Sequence, residues 1–198
     1  VSILKYFDKK FTFDTNDAIK HNLNFRPLFF IDRYGEIVNK KIKYNLLFLG
    51  TAHSDRYKIS DNIVNWCLAN NLSSYAYYFM PSRLVFFFKS LFDNSFKNFD
   101  YQKLSFKSLN IDNIINLYEE SSVILDINHP GQNGLTMRTF EALGAGKKII
   151  TTNPEIKKYS FYSENNVYVI DRENIKLTKS FFESPFIEIQ EDLHNNMS

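Results

Sequence analysis

Six short apolar runs recur along this chain, each separated from the next by a helical pattern or a polar connection. They are YNLLFLG, SSYAYYFM, KLSFKSL, SVILDI, KKIITT and NVYVI. A run of this length, rich in β-branched and aromatic residues and closed by turn residues, reads as a buried strand. Strands that alternate with helices imply β-α units and a mainly parallel sheet. The expected fold class is therefore α/β: a doubly wound, Rossmann-like domain with a mainly parallel sheet of five to six strands.

The helices between the runs carry their own signals. In SDRYKISDNIVNWCLANN, Ile59, Ile63, Val64, Cys67 and Leu68 fall at helical spacing, with Ser54 as the expected cap. PSRLVFFFKSLF opens on Pro81, a favoured residue for a helix start. NIDNIINLYEES is expected to be capped by Asn110, and LTMRTFEALGAG to be capped by Thr136 and ended by its glycines. Upstream, DTNDAIKHN reads as a short helix capped by Asp14 or Thr15, and FRPLFFI as a strand. DRYGEIVNKKIK is a polar connector.

Composition narrows the function classes. A net charge of +2, with both signs interspersed, offers no basic block for nucleic acid. One cysteine, Cys67, excludes an internal disulfide and reads as a core thiol. Four separated histidines lack the spacing of a metal site, so no metal is expected. No secretory signal or spanning run is visible, and the expected localisation is cytoplasmic. The aromatic helix at Pro81 reads as core plus an interface. Arg83, Lys89 and Lys97 beside it leave open a peripheral contact with the inner face of the cell membrane.

In an open α/β sheet, ligands bind beyond the carboxyl ends of the strands. The loops of interest follow Leu49, Met80, Phe106, Ile127 and Thr151. The loop GTAHSDRYK has Gly50 at a strand end, then Arg56 and Lys58 in a first helical turn. It is either a tight turn with solvated charges or an anion site. The loop NHPGQNGLTMRTFEALGAG also places a cation, Arg138, in a first helical turn. The helix dipole disfavours a cation there by roughly 0.3–1 kcal/mol unless an anion offsets it. Gly131, Asn133 and Gly134 allow unusual backbone geometry. The N–H groups from Leu135 to Arg138 form an anion pocket on this reading. Arg138 would close on a phosphate, and Glu141 would accept from a ribose diol. On position alone, Glu141 reads as a surface residue favoured by the dipole. Asp126 is either buried and hydrogen-bonded or a loop organiser, and His129 stands at the mouth. No phosphate-loop motif and no GxGxxG follows a strand, which excludes an ordinary NTPase or dehydrogenase.

The ordered series FKSLNIDNIINLYEESSVILDINHPGQNGLTMRTFEALGAGKKIITTN resembles the nucleotide-sugar-binding domain of GT-B glycosyltransferases. It is most similar to the bacterial subgroup described as lipopolysaccharide-biosynthesis or CgeB-like proteins. The likeness spans residues 7–172. It implies residues 1–42 as a remnant of an acceptor domain with its connector, 43–175 as the donor domain, and 176–198 as a tail that can form a helix. The resemblance assigns Gly50, Arg56, Gly134, Leu135, Thr136 and Arg138 to the donor diphosphate and Glu141 to the ribose. It assigns Lys107, Ser108 and Leu109 to the base. The catalytic residues stay open, with His129 and Arg138 as the candidates for a contribution, and a lone loop histidine such as His129 is more often structural. Asn133 stands where many retaining members carry a second glutamate, so stereochemistry stays open. The implied activity is metal-independent sugar transfer from a nucleoside diphosphate sugar to a surface-glycan or lipid-linked acceptor. The acceptor would be held by a domain expected to precede Val1. A nucleotide-sugar epimerase and a non-catalytic nucleotide-sugar-binding or scaffold module are the alternatives.

Overall fold

The computed structural model describes residues 2–38, 40–52, 55–92 and 99–189. Its centre is a six-stranded, all-parallel sheet. The strands are β3 (Tyr44–Thr51), β4 (Ser74–Phe79), β5 (Leu104–Ser105), β6 (Ser121–Asp126), β7 (Lys148–Thr151) and β8 (Val167–Val169). They lie in the order β5-β4-β3-β6-β7-β8. The chain thus winds outward from β3 to one edge, then returns to β3 and winds to the other. This is the Rossmann order, and its switch point lies between β3 and β6.

Both faces of the sheet are covered, which is why its strands read as continuous apolar runs. Successive side chains of a strand point to opposite faces. Leu46 and Phe48 of β3, with Val123 and Leu125 of β6, enter one core. Leu47, Leu49 and Ile124 enter the other. The first core is closed by α3 (Arg56–Ala69) through Ile59, Ile63 and Cys67, and by α7 (Lys179–Glu183) through Phe181 and Phe182. The second is closed by α5 (Ile111–Glu119) and α6 (Met137–Gly144), with Tyr118, Phe140 and Leu143 buried. Cys67 is a core thiol, and burial pushes its pKa up to about 12.

Upstream of the sheet, β1 (Phe11–Thr12) pairs in parallel with β2 (Asn24–Phe25) around α1 (Thr15–His21). Asp14 caps α1, accepting from the N–H groups of Asn16 and Asp17 at 2.9 and 3.1 Å. A single turn, α2 (Asp32–Gly35), follows within the connector. Asn110 caps α5 as its sequence indicates, accepting from Asn113 N at 2.8 Å.

Several expectations need correction. FRPLFFI is not a strand: only Asn24–Phe25 is paired, and residues 26–31 cross α6 in irregular backbone. Phe30 drives that path. It is 2% exposed and its ring fills the notch above Gly144, where a Cβ would lie 2.6 Å from the ring. KLSFKSL contributes only the two-residue edge strand β5. Leu68 is 74% exposed despite its helical spacing. Ser82, rather than Pro81, starts α4 (Arg83–Phe92), accepting from Val85 N at 3.1 Å. No side chain of α4 is fully buried: Phe86 packs against the first core, and the rest of the helix stands outside it. The expected cap Ser54 lies outside the described residues, as does the end of the tail, 190–198. Within the described part the tail contains α7.

Gly144→Ala tests the notch. Alanine ordinarily favours a helix over glycine by about 1 kcal/mol. Here the buried Phe30 ring cannot move aside, and overpacking costs about 1–3 kcal/mol. The expected result is a lower urea midpoint, restored when Phe30→Leu is added.

Candidate functional site

A pocket of about 260 Å³ opens at the switch point. Gly50 and Thr51 from the end of β3, Arg56 from the start of α3, Asp126 from the end of β6, and Thr136, Arg138 and Glu141 from α6 all line it. Two strand-end loops far apart in sequence therefore converge on one cavity. Five of the residues singled out from sequence, Gly50, Arg56, Thr136, Arg138 and Glu141, share it. Gly50 lies within β3, and the ring of Phe48 packs where its Cβ would stand, 2.6 Å away.

Two cations, Arg56 and Arg138, and two carboxyl groups, Asp126 and Glu141, share the pocket. Asp126 is 4% exposed, and its Oδ2 accepts from Thr136 Oγ1 at 2.7 Å and Thr139 Oγ1 at 2.8 Å. Asp126 is thus buried and hydrogen-bonded, one of the two alternatives its sequence leaves open. Thr136 does occupy the cap position of α6, but its hydroxyl donates to Asp126 instead of accepting from the helix. Arg138 donates from Nη1 to the buried Tyr118 hydroxyl at 3.4 Å. Burial opposes its charge, but Tyr118, Glu141 and Asp126 outweigh that and raise its pKa. Burial raises the pKa of Glu141, while Arg138 and the hydroxyls of Tyr34 and Tyr118 oppose the rise. Arg56 is half-buried, and its pKa is lowered. Burial is the main cause, with Arg138 and Arg172 adding and Asp126 and Asp55 opposing.

These contacts bear on why a cation stands at the start of α6. Glu141 and Asp126 already supply negative charge beside Arg138, so the dipole conflict is offset within the protein. Glu141 is likewise no surface residue: it is half-buried against two phenols and a guanidinium.

Other residues indicated by sequence lie off the pocket. Neither Gly131 nor Gly134 adopts a left-handed backbone; Gly146 is the glycine with positive φ. Gly134 matters for close approach instead, because a Cβ there would stand 2.7 Å from the Phe13 ring. Its N–H donates to Asp14 Oδ2 at 3.0 Å. That carboxyl is desolvated, yet N–H groups of Asp17, Gly134, Asn16 and Asn133 hold its pKa below the usual value. Leu135 is 1% exposed and belongs to the core. His129 is exposed in the loop after β6, with Gly131 N donating to its Nδ1 at 3.2 Å. Lys107, Ser108 and Leu109 follow the edge strand β5, where the Tyr77 hydroxyl donates to the Lys107 carbonyl. Lys58 is exposed on α3.

Three residues of this region were not singled out. Tyr34, from the connector, and Tyr118, from α5, pack edge to face at 5.2 Å beneath Glu141. Arg172 follows β8 and gathers the neighbouring loops. Its Nη1 donates to Asp55 Oδ2 at 2.7 Å, and its Nη2 to Asn128 Oδ1 at 2.7 Å, the Asn128 carbonyl and Thr152 Oγ1 at 3.2 Å. A cation after a sixth strand was the signal that could have found Arg172. Tyr34 carried no local signal, because only the folded chain brings it to α6.

Among the described residues, no group of three or more His, Cys, Asp or Glu side chains is arranged to hold a metal ion, and no helix is long and apolar enough to cross a membrane. No protein-family model matches the chain, and no curated protein is significantly similar to it.

Proposed function

We propose that this domain binds a nucleoside diphosphate sugar at the switch-point pocket and serves as the donor side of a glycosyltransferase. The observation that carries the reading is the convergence of Arg56 and Arg138, each from a first helical turn, on one cavity at the crevice where Rossmann-type sheets bind ligands. The start of α6 adds its helix dipole and outward N–H groups. Together these groups would hold a diphosphate and stabilise the charge that develops as it leaves the sugar. Glu141, at the inner wall, would accept from ribose hydroxyls.

Size supports a partial enclosure. Ligand pockets commonly span about 300–1,000 Å³, and 260 Å³ suits a diphosphate with part of its ribose. The loop 107–109 follows a strand two positions from β3. At about 4.8 Å per strand, that is roughly 10 Å away, within reach of a base.

Calorimetric titration with UDP, GDP and their sugars tests the reading. Binding at millimolar or lower concentration is expected, with equal affinity after EDTA because arginines and a helix start supply the positive charge. Affinity that collapses with EDTA and returns with manganese would overturn the metal-free form. Glu141→Gln is expected to weaken nucleotide binding by about 1–3 kcal/mol, the range for hydrogen bonds to a charged group.

The carboxyl groups of Glu141 and Asp126 near Arg138, with its bond to Tyr118, favour a second reading, a scaffold whose charge network is purely structural. No heat with any nucleotide at millimolar concentration would select it. Conversion of a free nucleotide sugar without acceptor would instead point to an epimerase.

A further inference from the structure

We propose that α4 is an interfacial helix that seats this domain on an anionic lipid surface. Leu84, Phe87, Phe88 and Leu91 recur at the spacing of one helical face, yet they are 71%, 56%, 58% and 59% exposed. Such a stripe normally turns inward. Here Phe86 occupies the inner side, packed against the core and the ring of Tyr101 at 5.2 Å. At about 100° per residue, Phe86 lies on the far side of the helix from the centre of the stripe. The anchoring contact therefore aims the apolar face directly outward.

Charge selects the occupant. The helix carries Arg83 and Lys89 and no acidic residue. Arg83 is exposed at the border of the stripe beside Phe87, where a long basic side chain can reach headgroups while the apolar face enters the acyl boundary; Lys89 lies on the side of the helix toward Phe86 and adds positive charge to the same helix. The surrounding sequence, residues 81–99, holds Arg83, Lys89 and Lys97 against Asp93 alone. A second copy of the chain fits less well. A ten-residue helix is about 15 Å long. One face of it covers much less than the roughly 800 Å² per partner of a standard interface, and a self-contact would bring two copies of the same cationic helix together. The proposal is independent of what the switch-point pocket binds.

Co-sedimentation of the full chain with vesicles tests it. Partition onto phosphatidylcholine–phosphatidylglycerol vesicles is expected at low salt, falling as salt rises, with weaker partition onto phosphatidylcholine alone. Phe87→Glu with Leu91→Glu should lower partition by about tenfold or more while leaving the melting temperature unchanged, since both side chains are exposed. Arg83→Gln with Lys89→Gln should remove the salt-sensitive part and leave a residual apolar part. Failure to pellet with the anionic vesicles at low salt overturns the proposal. So does equal pelleting by the double glutamate variant. A concentration-dependent dimer that this variant abolishes overturns it in favour of a second copy.

Discussion

Arg138→Ala is expected to weaken UDP and GDP binding by about 2–4 kcal/mol, roughly 30- to 1,000-fold, while leaving uridine or guanosine binding nearly unchanged. Charge-assisted hydrogen bonds contribute about 1.5–3 kcal/mol each, and loss of a desolvated charge partner costs more. Stability should fall as well. The dipole alone predicts the reverse, a slight gain on removing a cation from a helix start. The structure changes that sign, because truncation leaves Glu141 and Asp126 without their guanidinium neighbour. Truncation also strips the buried Tyr118 hydroxyl oxygen of its donor, and the expected loss is about 1–3 kcal/mol. A lower melting temperature therefore no longer separates a ligand site from a structural network; the nucleotide titration does. An Arg138→Ala protein that binds UDP and GDP as tightly as the parent would remove the arginine from the site.

Lys147 should make a separable contribution to the alkaline stability profile, opposite in sign to that of the buried Cys67 thiol. It is 2% exposed and donates to the Ser121 carbonyl at 2.8 Å, and burial lowers its pKa to about 8 despite help from Glu119. An unfolded lysine titrates near 10.4. Between these values the unfolded chain binds the additional proton at this lysine, so the contribution of Lys147 to stability rises with pH across the window from about 8 to 10.4. The full rise from this group is roughly 3 kcal/mol. Lys147→Met should remove it. Near neutral pH the variant relieves a buried charge but strands the Ser121 carbonyl, which costs about 1–3 kcal/mol, and the two effects largely offset. Urea denaturation of both proteins at several pH values checks this: the stability difference, variant minus parent, should fall by about 3 kcal/mol across the window. Parallel curves would show that Lys147 is not the responsible group.

The central strands were legible because runs such as YNLLFLG and SVILDI are apolar on both sides, and only a doubly covered strand needs that; KLSFKSL lacks this and supplies only a short edge strand. FRPLFFI was misread for a related reason. A short apolar run has the same appearance whether it joins a sheet or fills a notch, and nothing near Phe30 announces Gly144 more than a hundred residues later. The core part of the α4 reading reduces to Phe86, because an aromatic-rich helix shows that apolar surface exists but not what lies against it. In the site, Gly50, Arg56 and Arg138 could be found because strand-end loops and helix starts leave local marks, whereas Glu141 read locally as a surface residue and was singled out through the family resemblance. Tyr34 and Tyr118 could not, because their shared position beneath Glu141 arises from tertiary packing of the connector and α5 on α6. Asp14 escaped as a partner of Gly134 for the same reason.

The clustering of bonds on Arg172 has a consequence for how this end of the sheet can change. One guanidinium joins Asp55, Asn128 and Thr152, which belong to three different strand ends, and Thr152 Oγ1 in turn donates to Asn128 Oδ1 at 2.6 Å. Substitutions at these positions should therefore be strongly non-additive in a double-mutant cycle, because the first loss already loosens what the second would remove. Amide exchange in the three loops should proceed as one cooperative opening. Sequence drift is constrained in the same way: a neutral change in any one loop alters the background against which the other two are selected.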